Sequence, residues 1–327
     1  MHIANFSHKM KNRNLPVISI VIPCYNEDCV LPQSLRAIGE ILDELKNRGE
    51  VSPESFIMCV DDGSTDRTWE ILRESNSINP AVKGISLAGN RGHQFALLAG
   101  LMTVKDLCDA AISIDADLQD DPRAILEMVR LFREGYDIVY GVRKSREKDS
   151  WFKRNSARLF YRIQRGLGIK VVYDHADYRL MSAEALDILS EYGEQNLYLR
   201  GIIPQIGLKS ATVYYSRGHR AAGESKYPLG KMLSFSVDGI TSFTARPMKW
   251  IFVLGLLLII VDIAVAAYVL AAFFNGRTVD GWTSIMLSLW FIGGLLFMVL
   301  GIIGEYIGKI FMETKNRPRF HVREKIE

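Results

Sequence analysis

Between about Val17 and Gly141, short runs of β-branched residues alternate with amphipathic stretches, and this alternation limits the fold more than any other feature of the sequence. Strands joined through helices run parallel, and strands without polar alternation are buried on both faces. The pattern therefore predicts an α/β fold with a mostly parallel sheet. The predicted strands are 17–23, 55–61, 82–87, 111–115 and 137–141, and the predicted helices are 30–47, 65–75, 93–103 and 123–134.

Polar residues gather directly after each of the first four predicted strands. The carboxyl ends of parallel strands meet at one edge of the sheet, where α/β proteins bind their ligands. A single acidic turn is often only a helix cap, and we expect Ser64 to Asp66 to cap the helix that follows. Four convergent polar turns indicate a ligand site. These turns are residues 23–27, 61–66, 89–93 and 115–120.

The phosphate-binding motifs GxxxxGK[ST] and GxGxxG are not found at the positions where P-loop ATPases and dinucleotide oxidoreductases carry them, which excludes both classes. A net charge of +3 also excludes a protein that coats nucleic acid. The four cysteines form no CxxC pair, and we expect them to be buried thiols in a reducing compartment. An acidic pocket without a phosphate loop can hold an anionic substrate through a divalent cation.

The motif predicted to hold that cation is Asp115-Ala116-Asp117, which directly follows a buried strand. We expect the two carboxylates on the same side of an extended segment, with the amide of Gln119 continuing that side. Oxygen ligands of this kind suit Mg²⁺ or Mn²⁺. The alternative is that the acidic residues only cap the helix that begins near Pro122.

Two long apolar runs follow the α/β region. From Ile251 to Phe274 the only charged residue is Asp262, and from Trp282 to Ile303 there is none. Each run is about long enough to cross a hydrocarbon core of about 30 Å as a helix. We predict two membrane spans, and a pair of buried helices in a soluble bundle is the alternative.

The residues around these runs predict the domain organisation. Lys and Arg flank both runs on their outer sides, so the positive-inside rule places both termini in the cytoplasm, at the inner membrane. The apolar face of 228–247 predicts a helix lying in the membrane interface. The predicted segments are a polar tail 1–16, a catalytic domain 17–227, the interfacial helix 228–247, two spans within 248–311 joined by an extracytoplasmic loop 275–281, and a basic tail 312–327.

The segments IPCYNE, VDDGSTD, NRGHQFALLAG and DADLQDDP, in this order and spacing, resemble the family 2 glycosyltransferases of the GT-A fold. Such enzymes transfer a sugar from a nucleotide diphosphate sugar with inversion. The resemblance implies that Asp115, Asp117 and Gln119 surround the metal, and that Asp117 is catalytic. The residues it implies around the nucleotide are Pro23, Tyr25, Glu27, Asp61, Asp62, Asn90, His93, Gln94, Asp115 and Ala116.

The second half resembles the bactoprenol glucosyl transferases, which are relatives of dolichol-phosphate mannose synthase. The matching segments are YDHADYRLMS, NLYLRGIIPQIG and RGHRAAGESKYPLGKMLSFSVDGITSF, followed by the two apolar runs. The resemblance implies transfer of glucose from UDP-glucose to undecaprenyl phosphate for modification of cell-envelope glycans. It also implies catalytic roles for Asp174 and Asp177; for Asp177, a simple ion pair with Arg179 is the alternative.

A lipid phosphate acceptor needs cations more than a general base, because one of its oxygens is already anionic at neutral pH. Several Lys and Arg residues are candidates to hold it, and each of them could also be a solvated surface charge. Arg143, directly after the last predicted strand, and Lys226, within GESKY, are favoured. The full set is Arg143, Lys153, Arg154, Arg179, Arg217, Arg220 and Lys226.

Other donors fit the same motifs, namely GDP-mannose, UDP-GlcNAc, UDP-galactose or a UDP-aminoarabinose derivative. A catalytically silent membrane scaffold is the alternative from another functional class. The polar residue Asp262 within the first apolar run predicts a partner helix, and hence a homo-oligomer, because an ionised carboxylate at the bilayer centre costs at least about 2.5 kcal/mol. A flippase is a further possible partner, and no nucleic acid is expected.

Overall fold

The computed structural model describes residues 15–143, 175–195, 197–216 and 281–327, together with the single positions 257 and 264. The strands are β1 (Ile18–Cys24), β2 (Phe56–Asp61), β3 (Val82–Leu87), β4 (Ala110–Ser113), β5 (Ile138–Arg143), β6 (His175–Ser182), β7 (Ser210–Tyr215) and β8 (Val322–Ile326). The helices are α1 (Leu31–Asn47), α2 (Thr68–Ile78), α3 (His93–Val104), α4 (Ala124–Arg133), α5 (Ala183–Glu191), α6 (Leu199–Ile202) and α7 (Trp282–Thr314), with a 3₁₀ turn at Ile203–Gln205.

The eight strands form one sheet in the order β7-β5-β6-β4-β1-β2-β3-β8. The four adjacent strands β4, β1, β2 and β3 are mutually parallel, and β5 pairs in parallel with β7. The strand β6 is antiparallel to both β4 and β5, and β8 is antiparallel to β3. The predicted α/β class with a mostly parallel sheet is therefore confirmed.

The central strand β1 is buried along its whole length, because helices cover both of its faces. On one face Ile20 and Ile22 belong to a core cluster that also contains Ile38 of α1. On the other face α3 lies so close that a Cβ atom on Gly100 would clash with Val21. An α3 composed almost entirely of small and apolar residues can make this close approach, and it brings the start of α3 to the carboxyl edge of the sheet.

The strands and helices predicted before residue 143 all exist, with ends displaced by a few residues. The largest displacement is at α2, which begins at Thr68 rather than Thr65; β4 ends two residues early at Ser113, and β5 ends two residues late at Arg143. The sequence analysis assigned no element to α5, α6, β7 or β8. Within the predicted basic tail 312–327, β8 pairs with β3 at the edge of the sheet.

The chain divides into two compact units. The described residues 15–143, 175–195, 197–216 and 317–327 belong to the first unit, and α7 belongs to the second. Within the ranges that the structure describes, no helix is both long and apolar enough to cross a membrane. The predicted interfacial helix 228–247 lies outside the described residues, as does the first predicted span except for positions 257 and 264.

Candidate active site

The strands β1 and β4 separate at their carboxyl ends. Their pairing ends at Val21 and Ser113, and the amide of Ile114 still donates to the carbonyl of Val21 at 3.1 Å. Pro23 lies beyond this point, so its missing N–H costs no hydrogen bond to β4. Because β2 and β3 lie on one side of β1 and β4 on the other, this is the topological switch point at which open α/β sheets bind ligands.

Asp61, at the end of β2, is fully buried and holds the turn that follows it. Its Oδ1 accepts a hydrogen bond from the Ser64 amide at 3.0 Å, and its Oδ2 accepts one from the Ser86 hydroxyl at 2.8 Å. The carboxylate thus fixes the turn 61–66. This arrangement differs from the direct nucleoside contact that the resemblance implies for Asp61.

Asp62 fixes the neighbouring turn in the same way. Its two carboxylate oxygens accept hydrogen bonds from the amides of Arg91 at 2.7 Å and Gly92 at 2.8 Å. Burial raises the pKa of Asp62, and these two amide hydrogen bonds only partly offset that effect. Gly63 has a φ of 68°, and a Cβ atom there would lie 2.8 Å from the backbone of Gly89. The turns after β2 and β3 therefore interlock.

The turn after β1 is tied to the turn after β2. Asn26 adopts a φ of 54°, its amide donates to Ser64 Oγ at 3.0 Å, and its Oδ1 accepts from the Thr65 amide at 2.9 Å. The amide of Glu27 donates to Thr68 Oγ1 at 2.9 Å. Tyr25 is 45% exposed beside these contacts, so its ring is available to stack against a base.

The Asp115-Ala116-Asp117 motif forms a turn, which corrects the predicted extended segment. The buried Ser34 hydroxyl of α1 hydrogen-bonds the Ala116 carbonyl, and the next residues curl back through Leu118, whose φ is 53°. The backbone N–H of Gln119 donates to Asp117 Oδ1 at 3.1 Å. The two carboxylates thus reach the site through a turn anchored on α1, and not through strand alternation.

A charged cluster centres on Asp177 of β6, whose side chain is only 5% exposed. Its carboxylate accepts from Arg200 Nη2 at 2.9 Å and from Gln94 Nε2 at 3.5 Å, and His93 Nε2 lies 3.6 Å from it. Gln94 Oε1 also accepts from the Leu199 amide at 3.1 Å, which ties the start of α6 to α3. Asp177, His93 and Gln94 are thus brought together.

His93 lies between two carboxylates, with Nε2 at 3.6 Å from both Asp115 and Asp177. Burial lowers the pKa of His93, but the nearby carboxylates of Asp177 and Asp115 outweigh it and raise the pKa overall. At Asp115, burial raises the pKa, His93 lowers it, and the nearby carboxylates of Asp177, Asp120 and Asp117 raise it further. The pKa of Asp115 is raised overall, with burial as the largest cause.

Two residues of the predicted phosphate-binding set have buried partners. Arg179 is 1% exposed and pairs with Asp177, so the structure corrects its predicted contact with a lipid phosphate and favours the ion-pair alternative. Arg143 donates to Asp120 at 3.1 Å, and its side chain is 31% exposed. Arg143 can therefore still meet a ligand, whereas Arg179 holds Asp177 from inside the sheet.

The comparisons with known proteins agree with this geometry. Residues 19–189 match the family model described as glycosyl transferase family 2. The chain is a family 2 glycosyltransferase. It is 49% identical over 94% of its length to the uncharacterized glycosyltransferase YkoT of Bacillus subtilis, covering 91% of that protein. It is also 33% identical, over 94% of this chain and 99% of the relative, to the bactoprenol glucosyl transferase of Shigella phage SfX.

Among solved structures, the glycosyltransferase is similar to glucosyl-3-phosphoglycerate synthase from Mycobacterium tuberculosis, crystallised with Mn²⁺, UDP and phosphoglyceric acid. The identity is 20% and the TM-score 0.45, with 69% of this chain and 76% of that chain covered.

The residues of this glycosyltransferase fit a divalent cation that is held partly by its substrate. Among the described residues, no group of three or more His, Cys, Asp or Glu side chains is arranged to hold a metal ion. Asp115 and Asp117 nevertheless supply two carboxylates beside the side-chain amide of Gln119, and burial raises the pKa of Asp115, so a cation bound there would stabilise its charged form. Mg²⁺ is commonly bound by one or two carboxylates together with substrate phosphates.

Arg200 is the functional candidate that the sequence analysis missed. It belongs to the segment NLYLRGIIPQIG, which was quoted for the resemblance without assigning a role to its arginine. The signal that could have found it is that Arg200 is the one charged residue in this segment. The remaining predicted residues, Lys153, Arg154, Asp174, Arg217, Arg220 and Lys226, lie outside the described part of the chain.

Proposed function

We propose that this glycosyltransferase moves glucose from UDP-glucose to the phosphate of a polyisoprenyl lipid, namely undecaprenyl phosphate, with inversion at the anomeric carbon. The observation that carries the proposal is the close pairing of the half-exposed Arg200 with the buried Asp177, beside the carboxylate of Asp115. The guanidinium of Arg200 suits the phosphate of an acceptor. The acidic turn Asp115-Ala116-Asp117 suits a cation that holds the diphosphate of a donor. The similarity to a bactoprenol glucosyl transferase supports the same acceptor class.

On the donor side, Asp115, Asp117 and Gln119 would hold Mg²⁺ or Mn²⁺, which when bound would neutralise charge on the departing nucleoside diphosphate. Tyr25, with its exposed ring, and the interlocked turns after β1, β2 and β3 would hold the nucleoside. Asp61 and Asp62 act here by fixing those turns. Their hydrogen bonds are formed within the protein, so the pocket needs little reorganisation to bind the donor.

On the acceptor side, Arg200 would bind the lipid phosphate and orient its anionic oxygen toward the anomeric carbon. Its side chain is 42% exposed, while the Asp177 carboxylate that fixes it is only 5% exposed. No general base is required, because the attacking oxygen carries no proton at neutral pH. Arg143, 31% exposed at the end of β5, is a second candidate for this phosphate.

A polyisoprenyl acceptor lies in a membrane, so we also propose that the runs 251–274 and 282–303 span it with both termini in the cytoplasm. The length of these runs and the Lys and Arg residues around them support this arrangement. The homo-oligomer and the flippase partner remain predictions of the sequence.

The experiment that tests the proposal measures transfer of labelled sugar into lipid. Purified protein, undecaprenyl phosphate and Mg²⁺ or Mn²⁺ are incubated with each labelled donor in turn, and the lipid is extracted into organic solvent. The donor panel contains UDP-glucose, UDP-GlcNAc, UDP-galactose, a UDP-aminoarabinose derivative and GDP-mannose. We expect acid-labile labelled lipid from UDP-glucose.

Two variants sharpen the result. Asp117→Ala should abolish transfer, and Asp106→Ala, which removes an exposed carboxylate after α3, should transfer at the wild-type rate. Label from another donor would correct the sugar and keep the reaction. Nucleotide binding without any labelled lipid would overturn the proposal in favour of a silent scaffold or a different acceptor.

A further inference from the structure

The C-terminal strand β8 begins beside the carboxyl end of β3, on the side of the site where the nucleoside is proposed to bind. It pairs antiparallel with β3, and the register shifts so that Ser86 lies opposite Glu324 while Leu87 lies opposite Val322. Arg323 is therefore the extra residue of a β-bulge. Bulges redirect a side chain out of the regular alternation and are frequent beside active sites.

Arg323, an exposed residue of β8, begins a chain of hydrogen bonds that ends in the turn after β2. Its Nη2 donates to Ser86 Oγ at 3.1 Å, and the Ser86 hydroxyl donates to Asp61 Oδ2 at 2.8 Å. Asp61 Oδ1 accepts from the Ser64 amide at 3.0 Å. The chain continues to the turn after β1, because Ser64 Oγ accepts from the Asn26 amide.

The direction of this chain is fixed by the chemistry of arginine. A guanidinium can only donate hydrogen bonds, so the Ser86 oxygen must accept from Arg323 and its single proton must go to Asp61. Without Arg323 the Ser86 hydroxyl is no longer held in this orientation. The cation also lies close to a fully buried carboxylate, whose negative charge is costly to keep away from water.

The backbone around Arg323 is held independently on both sides. The Ala88 amide donates to the His321 carbonyl at 2.9 Å on one side. On the other side Glu324 accepts from Trp69 Nε1 at 3.1 Å and pairs with Arg73 at 2.5 Å. Replacing the Arg323 side chain should therefore leave β8 in place and interrupt only the chain of hydrogen bonds.

We propose that Arg323 is a positioning residue for the nucleotide donor, acting through Ser86 and Asp61 on the turns that carry Ser64 and Asn26. The C-terminal strand β8 then helps to position the donor site, in addition to forming the edge of the sheet. The inference rests on the proposed function, because it takes these turns to hold the nucleoside diphosphate.

The test compares Arg323→Met with Lys325→Met, a matched loss of charge two residues further along β8, opposite Ile85. Binding of UDP and of GDP in the presence of Mn²⁺ is first measured by calorimetry on the full-length wild-type protein. The nucleotide that binds more tightly is then used for every variant. We expect Arg323→Met to weaken its binding about fivefold, the value of one ordinary hydrogen bond, while Lys325→Met binds like the wild type.

Three further readouts separate positioning from a merely structural role. Arg323→Met should raise KM for the sugar donor with little change in kcat, and its melting temperature should match that of Lys325→Met. Arg323→Lys should recover part of the affinity, because an ammonium can still donate to Ser86. The double variant Ser86→Ala, Arg323→Met should bind no more weakly than Ser86→Ala alone, since Arg323 acts through Ser86.

The possible results distinguish this inference from the proposed function. If the wild type binds a nucleotide but Arg323→Met binds it equally well, the role of Arg323 is overturned and the proposed function stands. Additive losses in the double variant would overturn the relay and indicate a direct contact between Arg323 and the nucleotide. If the wild type binds neither UDP nor GDP, both the inference and the proposed function fail.

Discussion

The carboxylate of Asp177 lies 2.9 Å from the guanidinium of Arg200, although 23 positions of sequence separate the two residues. The same carboxylate pairs with the fully buried Arg179 on its own strand. Asp177 thus joins a cation inside the sheet to a cation at the surface of the site. We therefore expect Asp177 to act both in stability and in function.

The stability of the protein should depend on the charge of Asp177. In Asp177→Asn the buried Arg179 loses its counter-charge, and we expect the free energy of unfolding at pH 7 to fall by about 3–5 kcal/mol. Asp187→Asn is the matched control, since Asp187 pairs with Lys105 at 2.8 Å with 41% of its side chain exposed. Denaturant unfolding of the full chain measures both, and equal losses in the two variants would contradict the prediction.

The pH dependence of this stabilisation follows from the direction of the pKa shift. Burial alone would raise the pKa of Asp177, but the charge of Arg200, the nearby His93 and the charge of Arg179 hold it well below its usual range. A depressed folded-state pKa means that the stabilisation is complete above the unfolded value of about 3.9 and is lost as the pH falls through the folded value. The difference between wild type and Asp177→Asn should therefore grow somewhat from pH 7 to about pH 5, as His93 beside Asp177 becomes protonated, and shrink below about pH 4. A difference that shrinks already between pH 7 and pH 5 would refute this assignment.

Gly100 should be required for the packing of α3 on β1 and β2. A Cβ atom there would clash with Val21 and would lie 2.7 Å from Val60, so Gly100→Ala should lower stability by about 1–3 kcal/mol. Gly39 of α1 has nothing within 4 Å of a Cβ position, and Gly39→Ala should raise stability by about 0.5–1 kcal/mol. The two melting temperatures should shift in opposite directions, and a Gly100→Ala protein as stable as the wild type would disprove the close approach.

Ser34 should support activity without touching substrate. Ser34→Ala removes the hydrogen bond that holds the Ala116 carbonyl, and we expect kcat/KM to fall about 5- to 30-fold, as for the loss of one buried hydrogen bond. Ser77→Ala is the matched control, because Ser77 bonds only its own helix, at the Glu74 carbonyl. The Mn²⁺ concentration needed for half-maximal activity should rise in Ser34→Ala. Activity and metal requirement equal to those of the control would show that the turn needs no anchor on α1.

Arg200 should act on the acceptor more than on the donor. Arg200→Gln removes the charge of the half-exposed guanidinium, and KM for the lipid phosphate should rise about 10- to 100-fold, the loss of a charge-assisted hydrogen bond. KM for the nucleotide sugar should change much less. Steady-state kinetics with each substrate varied in turn measure the two values, and equal rises in both would place Arg200 outside the acceptor site.

Much of the donor half of the site follows from local sequence. Buried β-branched runs followed by polar turns predict which residues lie just beyond the carboxyl ends of the strands. Asp62, His93 and Asp115 could therefore be placed at the site from this pattern. Hydrophobic periodicity carries this information because it depends only on neighbours along the chain. The same local information fails where the Asp115-Ala116-Asp117 segment turns instead of extending, since its shape depends on Ser34 of α1.

The tertiary structure decided the remaining relationships. The insertion of β6 antiparallel between β4 and β5 buries Arg179 and aims Asp177 at the site, and α6 brings Arg200 to it. The hydrogen bond from Arg323 to Ser86 joins residues 237 positions apart. The sequence determined which segments become strands and helices, because hydrophobic periodicity depends only on residues that are close along the chain. Which charges meet was settled only by the path of the chain, because ion pairs and hydrogen bonds depend on distances in space that no local pattern encodes.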